Sequence, residues 1–298
     1  MLHCRTIEKS LMGADMKKLV LTTAALVAFA AVGSAGAADL SVKAPTPAPV
    51  WDWTGFYVGG SLGDRLSNAD WTTTCLQPGF AGCSANFPGR LGFQTTVPLD
   101  GNGMRYGGYV GYNWQIQNIL LGAEADVAWV DSSAFVLGIP GAEDPTVVGS
   151  PGLDSAQIRE TWDASVRVRA GYVVTGTVLL YGTVGASWIN VQTSATCATP
   201  FPVGWCPVGP LLGTTSSVST TRTGWTAGGG IEVMVTGNWL ARAEWRHSDY
   251  GTFGATLLTG SNGTAVNASA LSVNTKLTTE TALIGVAYKF GGPVVAKY

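Results

Sequence analysis

The sequence predicts an all-β fold: an eight-stranded antiparallel transmembrane β-barrel with short periplasmic turns and four long extracellular loops. Three observations carry the prediction: an export signal near the N-terminus, eight segments of alternating apolar and polar residues, and connections that alternate short and long. A tilted strand needs about ten residues to cross a bilayer, which is the length of these segments. Composition agrees. Only 12% of the 298 residues are charged, whereas soluble domains carry about a quarter. Forty glycines and eleven tryptophans, with abundant Thr, Val, Ala and Tyr, describe strands rather than helices. The formal net charge of -2 offers no basic surface, so no nucleic-acid partner is expected.

The signal begins at Met16. Two lysines, an apolar run from Leu19 to Val32 and a stretch of small residues follow in the order of a secretory signal peptide, with cleavage after Ala37 or Ala38. A membrane anchor would need about 20 apolar residues, and this run is shorter. Residues 16–38 are therefore read as the signal peptide and residues 1–15 as an upstream extension. Residues 39–52 form a proline-containing periplasmic lead, expected to be extended and exposed.

Cys4 precedes the signal and is lost with it. The remaining cysteines form two local pairs, Cys75–Cys83 and Cys197–Cys206, each in a segment rich in Pro, Gly and Thr. In an oxidising compartment they read as two short loop disulfides. The alternative is a metal site, which lacks a nearby histidine. No metal and no cofactor are expected.

Taken in order, the strands are read over 53–63, 104–114, 119–130, 161–173, 178–190, 223–235, 239–249 and 278–290, so that the barrel covers 53–290. Residues 115–118, 174–177 and 236–238 are tight turns. Residues 64–103, 131–160, 191–222 and 250–277 are long loops. An even strand count places both termini in the periplasm, with 291–298 as a short tail. One phase of each strand is apolar, as in Phe56, Val58 and Leu62 or Val166, Val168 and Ala170, and is assigned to lipid. Aromatic residues gather near both strand ends, where a bilayer favours amphipathic rings.

The other phase carries glycine, hydroxyl groups and charge, and is assigned to the lumen. Two groups stand out as a lumen ion-pair network: Glu124, Asp126, Arg167 and Arg169, and Glu232, Arg242, Glu244 and Arg246. An eight-stranded interior is only wide enough for side chains to fill it. An unpaired charge there costs on the order of 3–5 kcal/mol, so pairing is expected. Arg167 and Arg169 are assigned Glu124 and Asp126 as partners, because both strands show the same i, i+2 spacing.

The segments WTGFYVGGSLG (53–63), YGGYVGYNWQ (106–115), LGAEADV (121–127), RTGWTAGGGIEVMVTGNWLARAEWRHSDYG (222–251) and ALIGVAYKFG (282–291) resemble the small outer-membrane immunogenic proteins of alphaproteobacteria, porin-family barrels grouped with the OmpA-like transmembrane barrels. The resemblance implies insertion into the Gram-negative outer membrane by the barrel-assembly machinery, with periplasmic chaperones, outer-membrane lipid and lipopolysaccharide as partners. It also implies a barrel-assembly signal, matched here by Ile284, Val286, Tyr288 and Phe290. The sequence departs from the simplest form of that signal by continuing with GGPVVAKY.

The function expected from these features is a structural barrel and surface antigen whose charge-plugged lumen passes little or no current. A small-solute porin is the alternative. An outer-membrane lipid-modifying enzyme is a third reading, suggested by His247, Ser248 and Asp249. Adjacent strand residues point to opposite faces, so His247 and Ser248 do not readily share a site. No catalytic residue is assigned, and an extracellular partner of the loops is left unnamed.

Overall fold

The computed structural model describes residues 51–76, 96–140, 154–197, 214–258 and 271–291. They form eight strands: β1 (Gly55–Leu76), β2 (Thr96–Ile116), β3 (Ile119–Leu137), β4 (Ser155–Thr175), β5 (Val178–Cys197), β6 (Thr214–Thr236), β7 (Trp239–Leu257) and β8 (Leu271–Lys289). Each pairs with its sequence neighbours, and antiparallel pairing of β1 with β8 closes the barrel. The short connections tighten to two-residue turns between β2 and β3, β4 and β5, and β6 and β7. Gln117 (φ 56°) and Gly237 (φ 53°) supply the positive φ that such turns need.

The strands are 19 to 23 residues long, about twice what a bilayer crossing requires. This corrects the loop assignments. Much of 64–103, 131–160, 191–222 and 250–277 is strand, so the connections at that end are shorter than expected. Sequence reasoning ended each strand where its outward face stopped being apolar. The structure continues the strand because its inward face still has a core to pack on. In β1 the outward row runs from Phe56, Val58 and Leu62 into Asp64, Asn68, Asp70 and Thr72, while the inward row runs on through Arg65, Ser67, Ala69 and Trp71, all buried.

Below that transition the outside is an apolar belt. Val168 is 61% and Trp129 59% exposed, which in water would be unfavourable and in lipid is the favoured state. Aromatic rings frame the belt. Phe56, Phe290, Tyr288 and Trp239 form a contiguous cluster near the turn end, with centroids 5.3–5.8 Å apart. Tyr106 stacks on Trp129 at 6.2 Å towards the loop end.

Above the belt the barrel divides. The β2–β3 ladder stops at Asn102–Ser133, and the β6–β7 ladder stops at Trp225–Asp249. The other six ladders continue towards the strand tips, for example to Leu76–Leu271 and Cys197–Thr214. The closed barrel thus opens into two four-stranded sheets, β3–β4–β5–β6 and β7–β8–β1–β2. A bulge helps to part them. Gly251 (φ 67°), held by the Asp249 carboxylate, which accepts from its N–H at 2.7 Å, turns β7 away from β6.

The interior is layered. At the loop end, between the two sheets, lies an apolar core that includes Trp71, Leu99, Ile139, Ile158, Val191, Phe253, Leu257, Leu271 and Leu277. At the turn end lies a second apolar cluster of Trp53, Tyr57, Tyr109, Leu120, Leu179, Tyr181, Met234 and Leu240. Trp53 sits across the mouth, fully buried. Its backbone N–H donates to Gln115 Oε1 at 2.8 Å and its indole to the Gly176 carbonyl at 3.1 Å. Trp51 packs against the same cluster, so the last residues of the lead are docked rather than free. Both expected disulfides, Cys75–Cys83 and Cys197–Cys206, depend on residues outside those described, as do the signal peptide and most of the lead and tail.

Candidate functional site

Between the two apolar layers the lumen holds, among the described residues, six arginines (Arg65, Arg105, Arg167, Arg169, Arg242, Arg246) and six carboxylates (Glu124, Asp126, Glu160, Asp163, Glu232, Glu244), none more than 7% exposed. They form one connected chain. Arg169 joins Glu232 (3.0 Å) to Glu124 (3.6 Å), and Arg242 also meets Glu124 (2.6 Å). Arg167 links Glu124 (2.5 Å) to Glu244 (2.7 Å), and Arg246 links Glu244 (2.8 Å) to Asp126 (3.0 Å). Arg105 connects Asp126 to Asp163, which Arg65 joins to Glu160 (3.2 Å). The charges within this chain sum to zero. Charge-assisted contacts of this kind are the strong ones, and here no solvent competes for them.

All eight residues singled out from the sequence lie in this chain. Arg167 meets both expected partners, Glu124 and, at 4.0 Å, Asp126, and Arg169 meets Glu124, but other partners join them. Antiparallel register reverses the order of matching residues. Glu124 stands opposite Arg167, while Asp126 stands opposite Ser165, which donates a hydrogen bond to it, and Arg169 stands opposite Gly122. Arg169 therefore also reaches past β5 to Glu232, and Asp126 is served mainly by Arg246 and Arg105. Likewise Glu232 and Arg242 are register neighbours on β6 and β7, yet Glu232 meets Arg169 two strands away on β4 and Arg242 meets Glu124 on the far wall. A guanidinium on a long side chain spans a narrow barrel, so cross-lumen partners compete with adjacent ones.

Sequence reasoning missed Arg65 and Glu160 as members, because both fell in segments read as loop. Arg65 simply continues the inward row of β1. Glu160 does not continue that of β4. A bulge between Glu160 and Trp162 shifts the register with β5, and the inward phase passes from odd residues (Asp163, Arg167) to even ones (Glu160, Ile158). Arg105 and Asp163 share the lumen phase of the strands read from the sequence but lie outside the two groups singled out there.

Three tyrosines seat the lower part of the chain. Tyr57 donates to Glu124 (2.7 Å) and accepts from Arg169 (2.8 Å), while Tyr181 donates to Glu244 (2.8 Å). The guanidinium of Arg242 lies 3.4 Å from the centroid of the Tyr109 ring. Each of these rings covers a glycine directly opposite it: Tyr57 over Gly111, Tyr109 over Gly59, Tyr181 over Gly230. A β-carbon on any of the three glycines would collide with the ring. Gly111→Val should push Tyr57 off Glu124 and cost about 1–3 kcal/mol, the range for overpacking a filled interior. Urea titration of refolded protein checks it, and an unshifted midpoint would refute the packing argument.

His247, Ser248 and Asp249 do not converge. Ser248 points inward and donates to Thr226 Oγ1 at 2.9 Å. His247 lies on the outer face, with Nδ1 2.6 Å from Glu280 and its ring 5.3 Å from Trp225, and Asp249 is taken up by the Gly251 turn. Ile284, Val286, Tyr288 and Phe290 line the outer face of β8 and its end, and the N–H of Phe290 donates to the Phe56 carbonyl at 2.8 Å.

A closed antiparallel barrel with an apolar belt outside and paired charge inside is a transmembrane β-barrel. The chain belongs to the outer membrane protein beta-barrel domain family, which matches residues 24–290. It is 30% identical over 292 residues to the 31 kDa outer-membrane immunogenic protein of Brucella melitensis, covering 92% of this chain and 100% of that one. It is 26% identical over 282 residues to the 25 kDa outer-membrane immunogenic protein of Brucella abortus, covering 92% and 99%. Among solved structures, the outer membrane protease OmpT from Escherichia coli overlays with a TM-score of 0.48 at 11% identity, covering 79% of this chain and 97% of that one. The protein is an outer-membrane β-barrel.

Proposed function

We propose that this protein is a sealed structural barrel of the outer membrane and a surface antigen, with its turns in the periplasm and its loop end outside. The observation that carries the reading is the neutral, fully linked chain of twelve lumen charges, with an apolar layer on either side of it. An ion entering such a lumen would have to displace buried guanidinium–carboxylate pairs that have no solvent to take their place. The antigen reading is supported by the relatives, which are named as immunogenic outer-membrane proteins. A catalytic role draws no support from His247 and Ser248, which lie on opposite faces of β7. Lipid and lipopolysaccharide around the belt, periplasmic chaperones, and the barrel-assembly machinery reading the Ile284 to Phe290 signal are the proposed partners.

Single-channel recording of purified protein in planar bilayers tests the seal. The expected result is no reproducible conductance step, and regular open channels would return the small-solute porin reading. Surface proteolysis of intact cells tests the orientation, with cleavage expected only near the loop end.

A further inference from the structure

Where the barrel parts into two sheets, four strand edges lose a neighbour among the described residues. Natural sheets guard such edges with proline, charge, bulges or brevity, because an open row of N–H and C=O groups templates another strand. Three of the four are guarded. The β2 edge carries Pro98 and Asp100, the β3 edge is only Ala134 to Leu137, and the β7 edge follows the Gly251 bulge.

The β6 edge is different. Thr214 to Thr221, TTSSVSTT, pairs with β5 in unbroken register, contains no charge, proline or glycine, and has β5 as its sole described neighbour. Its outward side chains lean towards β5: Thr215 bonds Thr196 at 2.9 Å and Ser219 bonds Asn190 at 3.0 Å. Its inward residues Ser216, Val218 and Thr220 are half-buried, where the inward residues facing them on β5, Val191, Thr193 and Ala195, are buried. Arg222 marks the base of the edge, its guanidinium 4.7 Å from the Phe253 ring and 3.5 Å from the Gly254 carbonyl.

We propose that the edge of β6 from Thr214 to Thr221, which has no second neighbour among the described residues, accepts an extended segment of another polypeptide as an added strand. Main-chain hydrogen bonds supply the affinity in this mode, and side-chain contacts at alternate positions supply the selectivity. Arg222 favours a segment with an acidic residue at the end that lies beside it. A second copy of this chain does not fit the role. Strands in such barrels tilt by about 35–45°, so the facing strands of two barrels in one membrane cross at about twice that angle and form no ladder. The partner is therefore a segment free to approach from beyond the membrane, which rests on the proposed orientation of the loop end.

The test uses the full-length protein refolded in detergent, where orientation plays no part, so its failure is distinct from failure of the sealed-antigen reading. Amide hydrogen exchange on the free protein should show alternation over 214–221: residues bonded to β5 protected, the intervening ones fast. A ten-residue peptide of alternating Thr and Val, with Glu placed to meet Arg222, should slow the fast amides at least tenfold and saturably. In a strand, neighbouring N–H groups point to opposite sides. One of Ser217→Pro and Val218→Pro therefore removes only a free-side donor, and heat-modifiable gel migration identifies the variant that folds. That variant should bind the peptide at least tenfold more weakly. Uniform protection before peptide is added, which would mean that the chain's own residues already cover the edge, overturns the proposal. So does a peptide that protects nothing, or binding undiminished in the folded proline variant.

Discussion

Glu124→Gln is expected to destabilise the barrel by about 3–5 kcal/mol, the cost of breaking a buried pair and leaving its partner uncompensated. Glu124, like Asp126, meets three arginines. Arg167, Arg169 and Arg242 all lie within 3.6 Å of its carboxylate, and the Tyr57 hydroxyl donates to it at 2.7 Å. The amide keeps the shape and loses the charge, so the linked chain of twelve charges changes from neutral to net positive. Denaturant titration and the temperature of band shift on gels both read the loss. Removing one guanidinium as well should restore part of it. Glu124→Gln with Arg242→Gln returns the linked chain to zero charge, and the double variant should be more stable than the sum of the single losses by at least about 1 kcal/mol. Strict additivity would show that the two groups, 2.6 Å apart, are not energetically coupled.

Trp71→Ala is expected to cost about 3–5 kcal/mol, as large aromatic-to-alanine changes in packed interiors do. Its effect should be local. Trp71 is fully buried in the loop-end core, its indole donating to Thr73 Oγ1 at 3.1 Å, while Thr73 donates to the Pro140 carbonyl at 2.5 Å. These contacts lie beyond the level at which the β2–β3 and β6–β7 ladders stop, so the two sheets there depend on their shared core rather than on closure. Limited proteolysis should cut the variant in the upper halves of β1 and β8 while the membrane-embedded ring keeps its heat-modifiable migration. Loss of both together would show that the barrel unfolds as one unit.

The part of this fold that was legible in the sequence is the part governed by lipid. Wherever a strand crosses the belt its outward residues must be apolar, and beside the charged layer its inward ones are small, hydroxylated or charged, a rule that Val166, Arg167, Val168 and Arg169 display directly. Beyond the belt both faces of a strand satisfy water or a core by ordinary means. The outward Thr and Ser of β6 then look like loop, and only inward residues such as Trp71 or Val191 betray a strand. The lumen charges were legible as a set because they share a phase. Their partners were legible only in part: Arg167 and Glu124 meet as register neighbours, whereas the contacts of Arg242 and Arg246 with β3 depend on the reach of arginine across a narrow interior, which no spacing encodes. The phase change at Trp162 hid Glu160 in the same way.

The division of the loop end into two sheets also bears on how antibodies would meet this protein. The side chains of Thr161, Asn190 and Ser219 come from three strands and are joined through the Asn190 amide, with contacts of 2.8 and 3.0 Å. An epitope on this surface is therefore assembled from segments far apart in the chain, and it exists only while the sheet is intact. Sera raised against the folded barrel should lose binding to this face once the protein is boiled in detergent. Linear peptides cut from residues 155–161, 189–197 or 214–223 should fail to compete for it.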